Sequence, residues 1–300
     1  MKIGIDLGGS HIAIGIVDHK GKILEKTEKR ITTAEKNNIK SVIEEYIIEK
    51  VQGFINQYKI SEIGMAIPGT VKEGVVLKSV NLGLKNYEIV KKLQEKIKLP
   101  IKIRNDAKCA AIAENVYGSL KTYDRSIFLT LGTGIGGAVI INNQLLNTGD
   151  LPGCEFGHLV IEKNGRVCKC GKKGCWEKYA SMKAFKDNLR EILNVGEKTS
   201  GKELLDIVRK NDKNNPNYMQ INKLIEQYIE YLSIGISNLV NIFEPEAIGI
   251  GGSFVFYEEI FLEKLKKRIV EENLLFNKRE KIVIQTAILN NDGGIIGATL

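Results

Sequence analysis

Apolar and polar residues alternate from the first residues of the chain. "KIGIDLGG" (Lys2 to Gly9) followed by "HIAIGIVD" reads as strand, glycine turn and strand, with Ile12, Ile14 and Ile16 on one face. A third strand at "KILEKTEKR" extends this into an antiparallel meander. Between Asn38 and Tyr58 the period changes: Ile39, Val42, Ile43, Tyr46, Ile47, Val51, Phe54 and Ile55 recur at helical spacing, and the strand "EIGMAI" follows directly. That pattern is a helix crossing over to a further strand. A hairpin at "TVKEGVVLKS", a helix near Tyr87 to Ile97, the strand "IKIRN" and a helix from about Ala107 to Tyr117 complete a first mixed α/β unit.

The opening theme then returns. "IFLTLGTGIGGAVIINNQ" from Ile127 lines up with "IGIDLGGSHIAIGIVDHK" from Ile3, pairing Leu131 with Leu7, Gly132 with Gly8 and Ile140 with Ile16, as in an internal duplication. Three helices follow the cysteine-rich region, the longest from about Pro216 to Ile242. "AIGIGGS" then forms a strand ending in a third glycine turn, with a helix near Tyr257 to Val270 and the strand "IVIQTAI" after it. The final "DGGIIGATL" begins a helix that packs back on the first unit.

Composition narrows the classes. At 300 residues and 43% hydrophobic content the chain can bury a large core. No charged segment and apolar run open it, and no apolar stretch approaches the roughly 18 residues that span a bilayer, so we expect a cytoplasmic protein without a membrane partner. The net charge of +8 comes from lysines spread along helices such as "VKKLQEKIK", which argues against a nucleic-acid face and suits an anionic small substrate. Five cysteines, three of them crowded at Cys168, Cys170 and Cys175, favour a metal over a disulfide framework.

Candidate chemistry gathers at the strand ends. Glycine turns such as "DLGGSH" and "LGTGIGG" either bring backbone N–H groups close to a phosphate or are simple hairpins; two of them in duplicated contexts, with "GIGGS" as a third, favour a nucleotide in a cleft between two halves. Asp6 beside the first turn is either a turn cap or a Mg²⁺ ligand, directly or through water. "IRNDAKCA" places Asn105 and Asp106 where a strand meets a helix: Asp106 is either an N-cap or the carboxylate that accepts a hydroxyl proton during phosphoryl transfer. Asn105, with Glu155 and His158 in "CEFGH" and Glu177 in "GCWEKYAS", supplies hydrogen-bonding groups suited to a sugar. Cys168, Cys170, Cys175 and His158 form a Cys₃His set that closes a tetrahedral structural zinc site; the alternatives are buried thiols or a nucleic-acid zinc knuckle, whose spacing and flanking aromatics are missing.

"DLGGSH", "GMAIPGTV", "RNDA", "LGTGIGGAVI", "GCEFGHLVI", "CKCGKKGCWEKYAS" and "IGIGGS" occur in the order seen in the ROK family (repressor, open reading frame, kinase), which the whole chain resembles. The resemblance implies an actin/hexokinase-like (ribonuclease H-like) fold of two duplicated α/β domains with a cleft between them. The smaller would comprise 1–107 plus about 290–300, and the larger, carrying the zinc site, 108–289. It implies ATP with Mg²⁺ as phosphoryl donor, structural Zn²⁺, a hexose or N-acetylhexosamine acceptor and a homodimer. Asp106 would be the general base on the sugar 6-hydroxyl. Gly69, Asn81, Asn105, Glu155, His158 and Glu177 would bind the sugar. Gly8, Gly9, Ser10, His11, Thr133 and Gly134 would hold phosphates, and Gly251 and Gly252 would lie near the adenosine. His11 stands where many members carry lysine, and Leu84 where a tryptophan is common in glucokinases. We therefore expect a glucokinase, with N-acetylmannosamine kinase or another hexose kinase (allose, fructose, mannose) as the alternative. A sugar-responsive repressor of the family is disfavoured because no helix-turn-helix precedes the first strand, and a catalytically dead sensor because Asp106 and both phosphate turns are present.

Overall fold

In the computed structural model of the chain, residues 1–146, 153–271 and 282–300 are described. They gather into two compact units, one containing Met1–Thr122, Gln144–Gly153 and Ile288–Leu300, the other Tyr123–Asn143 and Cys154–Ala287.

The first unit is built on a five-stranded sheet. β1 (Lys2–Leu7), β2 (His11–Val17) and β3 (Ile23–Arg30) form the expected meander. α1 (Ile39–Gln57) crosses over with Ile39, Ile43, Ile47, Val51 and Phe54 buried, four or three residues apart on one stripe. β4 (Ile63–Ile67) then pairs parallel to β1. A separate three-stranded sheet holds β5 (Thr70–Lys72), β6 (Val75–Ser79) and β7 (Leu84–Tyr87). α2 is confined to Ile89–Gln94, shorter than the expected Tyr87 to Ile97, because Tyr87 completes β7 and points its hydroxyl at Glu44 of α1. β8 (Ile101–Asn105) and α3 (Asp106–Tyr117) end the run, giving the sheet order β3-β2-β1-β4-β8.

The C-terminal helix (Gly293–Ala298) closes this unit, as expected. Gly4 and Gly64 sit side by side on β1 and β4. A Cβ on either would fall within 2.0 Å of the backbone oxygen of Ile295 or Ala298, so only glycine lets the helix lie this close to the sheet. α3 is held from the other side, Gly297 lying against the Cys109 carbonyl. The first unit therefore runs through α3 to Thr122, beyond the boundary at 107 expected from the sequence.

The second unit repeats the sheet plan. β9 (Arg125–Leu131) and β10 (Ile135–Ile141) are antiparallel like β1 and β2; short β11 (Gln144–Leu145) follows β10 in the chain and groups with the first unit. β12 (Ala247–Gly251) pairs parallel to β9, with β13 (Val283–Thr286) outside it, giving β10-β9-β12-β13. The duplication read from the sequence is thus a duplication of topology. Between these strands lie α4 (Glu177–Ala180), α5 (Met182–Leu193), α6 (Gly201–Arg209) and α7 (Tyr218–Phe243), with α8 (Glu258–Glu271) after β12. A core of Phe185, Tyr228, Tyr257 and Phe261, ring centroids 4.8–5.8 Å apart, locks α5, α7 and α8 together. No helix among the described residues is long and apolar enough to cross a membrane.

Candidate active site

The first unit brings carboxylates to a glycine turn. The Gly8 N–H donates to the His11 carbonyl at 2.9 Å, and the His11 imidazole lies directly against Gly8, so this residue folds over the turn that Gly8, Gly9 and Ser10 form. Asn81 packs beside Gly9, bringing a sugar candidate to a phosphate candidate. Asp6, one residue short of the strand end, rests against Gly294. Its strand runs between β2 and β4 and its carboxyl is packed against the C-terminal helix; burial, reinforced by the negative charge of Asp106, pushes its pKa up to about 7.

Asn105 and Asp106 divide the labour at the β8–α3 junction. Asn105 is the N-cap: its Oδ1 accepts from the Lys108 N–H at 3.2 Å, and its Nδ2 donates to the Gly69 carbonyl at 3.0 Å. Asp106 is the first residue inside the helix and accepts from the Ala107 N–H through Oδ1 at 2.8 Å. The capping alternative open for Asp106 in the sequence therefore belongs to its neighbour. Asn105, Gly69 and Asp106 come together; Leu84, by contrast, is buried in the first unit's core.

In the second unit one ligand atom from each of His158, Cys168, Cys170 and Cys175 lies within 4.8 Å of all the others. Cys168 Sγ is 3.6 Å from His158 Nδ1, and Cys170 Sγ is 3.5 Å from Cys175 Sγ. Metal–ligand bonds of about 2.0–2.3 Å in a tetrahedron put ligand atoms roughly 3.5–3.8 Å apart, so the set fits one ion with four protein ligands. Nδ1 faces the thiols, which leaves Nε2 as the outward nitrogen of His158. The loop is shaped for this by a hairpin in which the Cys168 N–H donates to the Lys172 carbonyl at 2.9 Å, with Gly171 at φ 95°.

Glu177 opens α4 two residues after Cys175. Its Oε2 accepts from the Ile135 N–H at 3.2 Å and lies against Gly134, tying the cysteine loop to the β9–β10 turn. Glu155 is exposed, just before the single helical turn Phe156–His158. Thr133 is exposed at the tip of the β9–β10 turn, whose ends are joined by a 3.0 Å bond from the Gly132 N–H to the Gly134 carbonyl. Gly252 has φ 74° and packs on the backbone of Leu131, a conformation and approach that a side chain would block. Gly251 and Gly252 thus abut the strand that ends in Thr133's turn.

Two residues the sequence reading passed over also stand here. Lys186 and Ser253 line a cavity with Gly132 and Thr133. In the sequence Lys186 is one more lysine on an amphipathic helix, and only the docking of α5 gives it a special place.

The ROK family pattern matches residues 2–300. A glucokinase of Thermotoga maritima is 30% identical over 312 residues, covering 99% of this chain and 95% of its own. A xylose repressor of Bacillus subtilis is 29% identical over 273 residues, covering 89% of this chain and 68% of its own. Among solved structures, a ROK family glucokinase from Streptomyces griseus in complex with glucose and AMPPNP superposes with a TM-score of 0.81 at 28% identity, over 99% of this chain and 97% of the other. A protein from Listeria monocytogenes described as a putative N-acetylmannosamine kinase gives 0.81 at 27%, over 99% and 97%.

Proposed function

We propose that this chain, which belongs to the ROK family, is an ATP-dependent hexose kinase that transfers the γ-phosphate of MgATP to a sugar 6-hydroxyl, with glucose as its acceptor. The observation that carries the reading is Asp106: a carboxylate at a strand-to-helix junction, relieved of capping by Asn105 and beside a second carboxylate, Asp6. A sugar hydroxyl is far too weak an acid to ionise in advance, so Asp106 takes its proton late, as the bond to phosphorus forms. Gly69, Asn81 and Asn105 of the first unit, and Glu155, His158 and Glu177 of the second, are the proposed sugar contacts. The turns at Gly8 to His11 and at Thr133 and Gly134 hold phosphates, and Gly251 and Gly252 the adenosine side.

Zn²⁺ is the proposed ion of the Cys₃His set. Four protein ligands leave no position for a reacting water, so its role is structural. Bound through Nδ1, His158 keeps a proton on Nε2 to donate to a sugar hydroxyl.

N-acetylmannosamine is the second reading. It is favoured by the equal TM-score of the Listeria structure, and Leu84 in the place of the tryptophan common in glucokinases counts against glucose. ADP release across glucose, mannose, fructose, allose, N-acetylglucosamine and N-acetylmannosamine decides the sugar, with Asp106→Asn as control. Turnover fastest on glucose and abolished in the variant is the expected result. Turnover on none of them, with sugar still bound, would make the chain a regulator built on the same fold.

A further inference from the structure

The second unit carries an open cavity of about 340 Å³ beside the β9–β10 turn. α5 forms one wall: its Lys183 N–H donates to the Gly132 carbonyl at 3.0 Å, which fixes the first helical turn against the glycine turn. Lys183 and Lys186 are three residues apart, on one face of the helix, and Arg190 follows one turn later.

These three cations are not equivalent. The Lys183 ammonium is 2.6 Å from Asp187, and Arg190 is held by Asp187 at 3.1 Å and by the Thr199 carbonyl at 3.0 Å. Lys186 has no carboxylate within ion-pair distance among the described residues. Its Nζ faces the Ser253 hydroxyl, at 3.5 Å, and the ring of Tyr257, 5.7 Å from the centroid. Burial and the charge of Arg190 both disfavour its protonated form and lower its pKa. An ammonium half removed from water without a counter-ion costs stability, a cost offset when an anion enters the cavity it lines.

We infer that Lys186, with the Ser253 hydroxyl, is a phosphate contact of the nucleotide, completing from α5 and the β12 turn the cradle that Gly132 and Thr133 begin. The inference rests on the kinase reading above and assigns that reading a charge the glycine turns lack. The Tyr257 ring and the aromatic core behind it hold the lysine in place, so it meets the phosphate already oriented.

The test is calorimetric titration of MgADP into wild type, Lys186→Met and Lys186→Arg, with thermal unfolding of each. Methionine keeps the length of the side chain and removes the charge. A charge-assisted bond to phosphate predicts about tenfold or greater weakening of MgADP in K186M, and a Kd within about threefold of wild type in K186R. Inorganic tripolyphosphate should compete with MgADP on the wild type and lose that competition about tenfold in K186M, which separates recognition of phosphate from recognition of the base. The Tm of K186M should equal or exceed that of wild type, since an unpaired cation has been removed. MgADP affinity within twofold of wild type in K186M, or a drop in its Tm with affinity unchanged, overturns the inference and leaves the kinase reading intact. Wild type that neither binds MgADP nor turns over any sugar overturns the reading itself.

Discussion

Around the β1–β2 turn the candidate functional side chains are carboxylates, Asp6 and Asp106, held by strand ends and the C-terminal helix. Around the β9–β10 turn they are cations and thiols: Lys186 on α5, and the Cys₃His set tied to the turn through Glu177. The strands beneath are arranged alike, an antiparallel pair with a parallel strand beside it. What differs is what has been added to each sheet. The first carries the candidate acid–base groups of β8 and α3; the second carries helices and the Cys₃His loop between β10 and β12. Under the proposed function a duplicated scaffold separates two tasks, proton transfer and anion binding, so substitutions in the two units should affect different kinetic constants.

The largest expected break of this symmetry is Asp106→Asn. Removing a general base lowers kcat about 10²–10⁴-fold, roughly 3–5 kcal/mol of transition-state stabilisation, with the KM for MgATP within a fewfold of wild type. Steady-state kinetics with both substrates varied checks this. A change confined to KM would move Asp106 out of the chemistry.

Metal removal should act on the second unit alone. Purified protein is expected to carry about one zinc per chain, and chelation or Cys168→Ser should lower the thermal midpoint by about 5–10 °C. Hydrogen exchange locates the loss: amides of residues 158–177 should open, while those of β1, β4 and α3 keep their protection. Uniform loss across both units would mean that the loop supports more than its own sheet.

Much of this was legible in the sequence because it is written in local spacing. The duplicated strand–glycine–strand stretches, the close-set Cys168, Cys170 and Cys175, and the Asn105–Asp106 pair at a strand end each fall within a few residues. Lys186 was not legible, since its partners Ser253 and Tyr257 lie on another element that only helix docking brings near. Nor was the use of Glu177: a carboxylate next to a cysteine cluster gives no sign that it accepts from Ile135, 42 residues earlier. The extent of the first unit was missed for the same kind of reason. α3 looks like the start of a new region until Gly297 is seen packed against Cys109.

Asp6 offers a pH test of the first unit. Its folded pKa, about 7, is raised above the ordinary carboxylate value of 3.8, so the native state holds this proton more tightly than the unfolded chain. The stabilisation is therefore full below about pH 4 and is lost as pH rises through 7. Asp6 keeps some contact with solvent, so we set the loss at about 1–2 kcal/mol between pH 5 and 8. Urea unfolding without added divalent cation should show Asp6→Asn more stable than wild type at pH 8, with the gap closing towards pH 5. A gap that does not change with pH would mean that Asp6 is ionised in the folded protein throughout this range.

Glu177 carries the smallest expected effect and the sharpest distinction. Proposed as a sugar contact, it spends Oε2 on the Ile135 N–H, one residue past Gly134 in the proposed phosphate turn. Glutamine keeps an acceptor there but removes the charge, so the bond weakens by about 1 kcal/mol, roughly a fivefold change in an equilibrium constant. If the main work of Glu177 is to hold the turn, Glu177→Gln raises the KM for MgATP by about three- to fivefold, with bound zinc and the KM for sugar unchanged. If its main work is on a sugar hydroxyl, the sugar KM moves instead. The first outcome would make the metal loop a brace for nucleotide binding in the second unit; the second would make it a platform for the acceptor. One variant and two substrate titrations thus decide which substrate the Cys₃His loop serves.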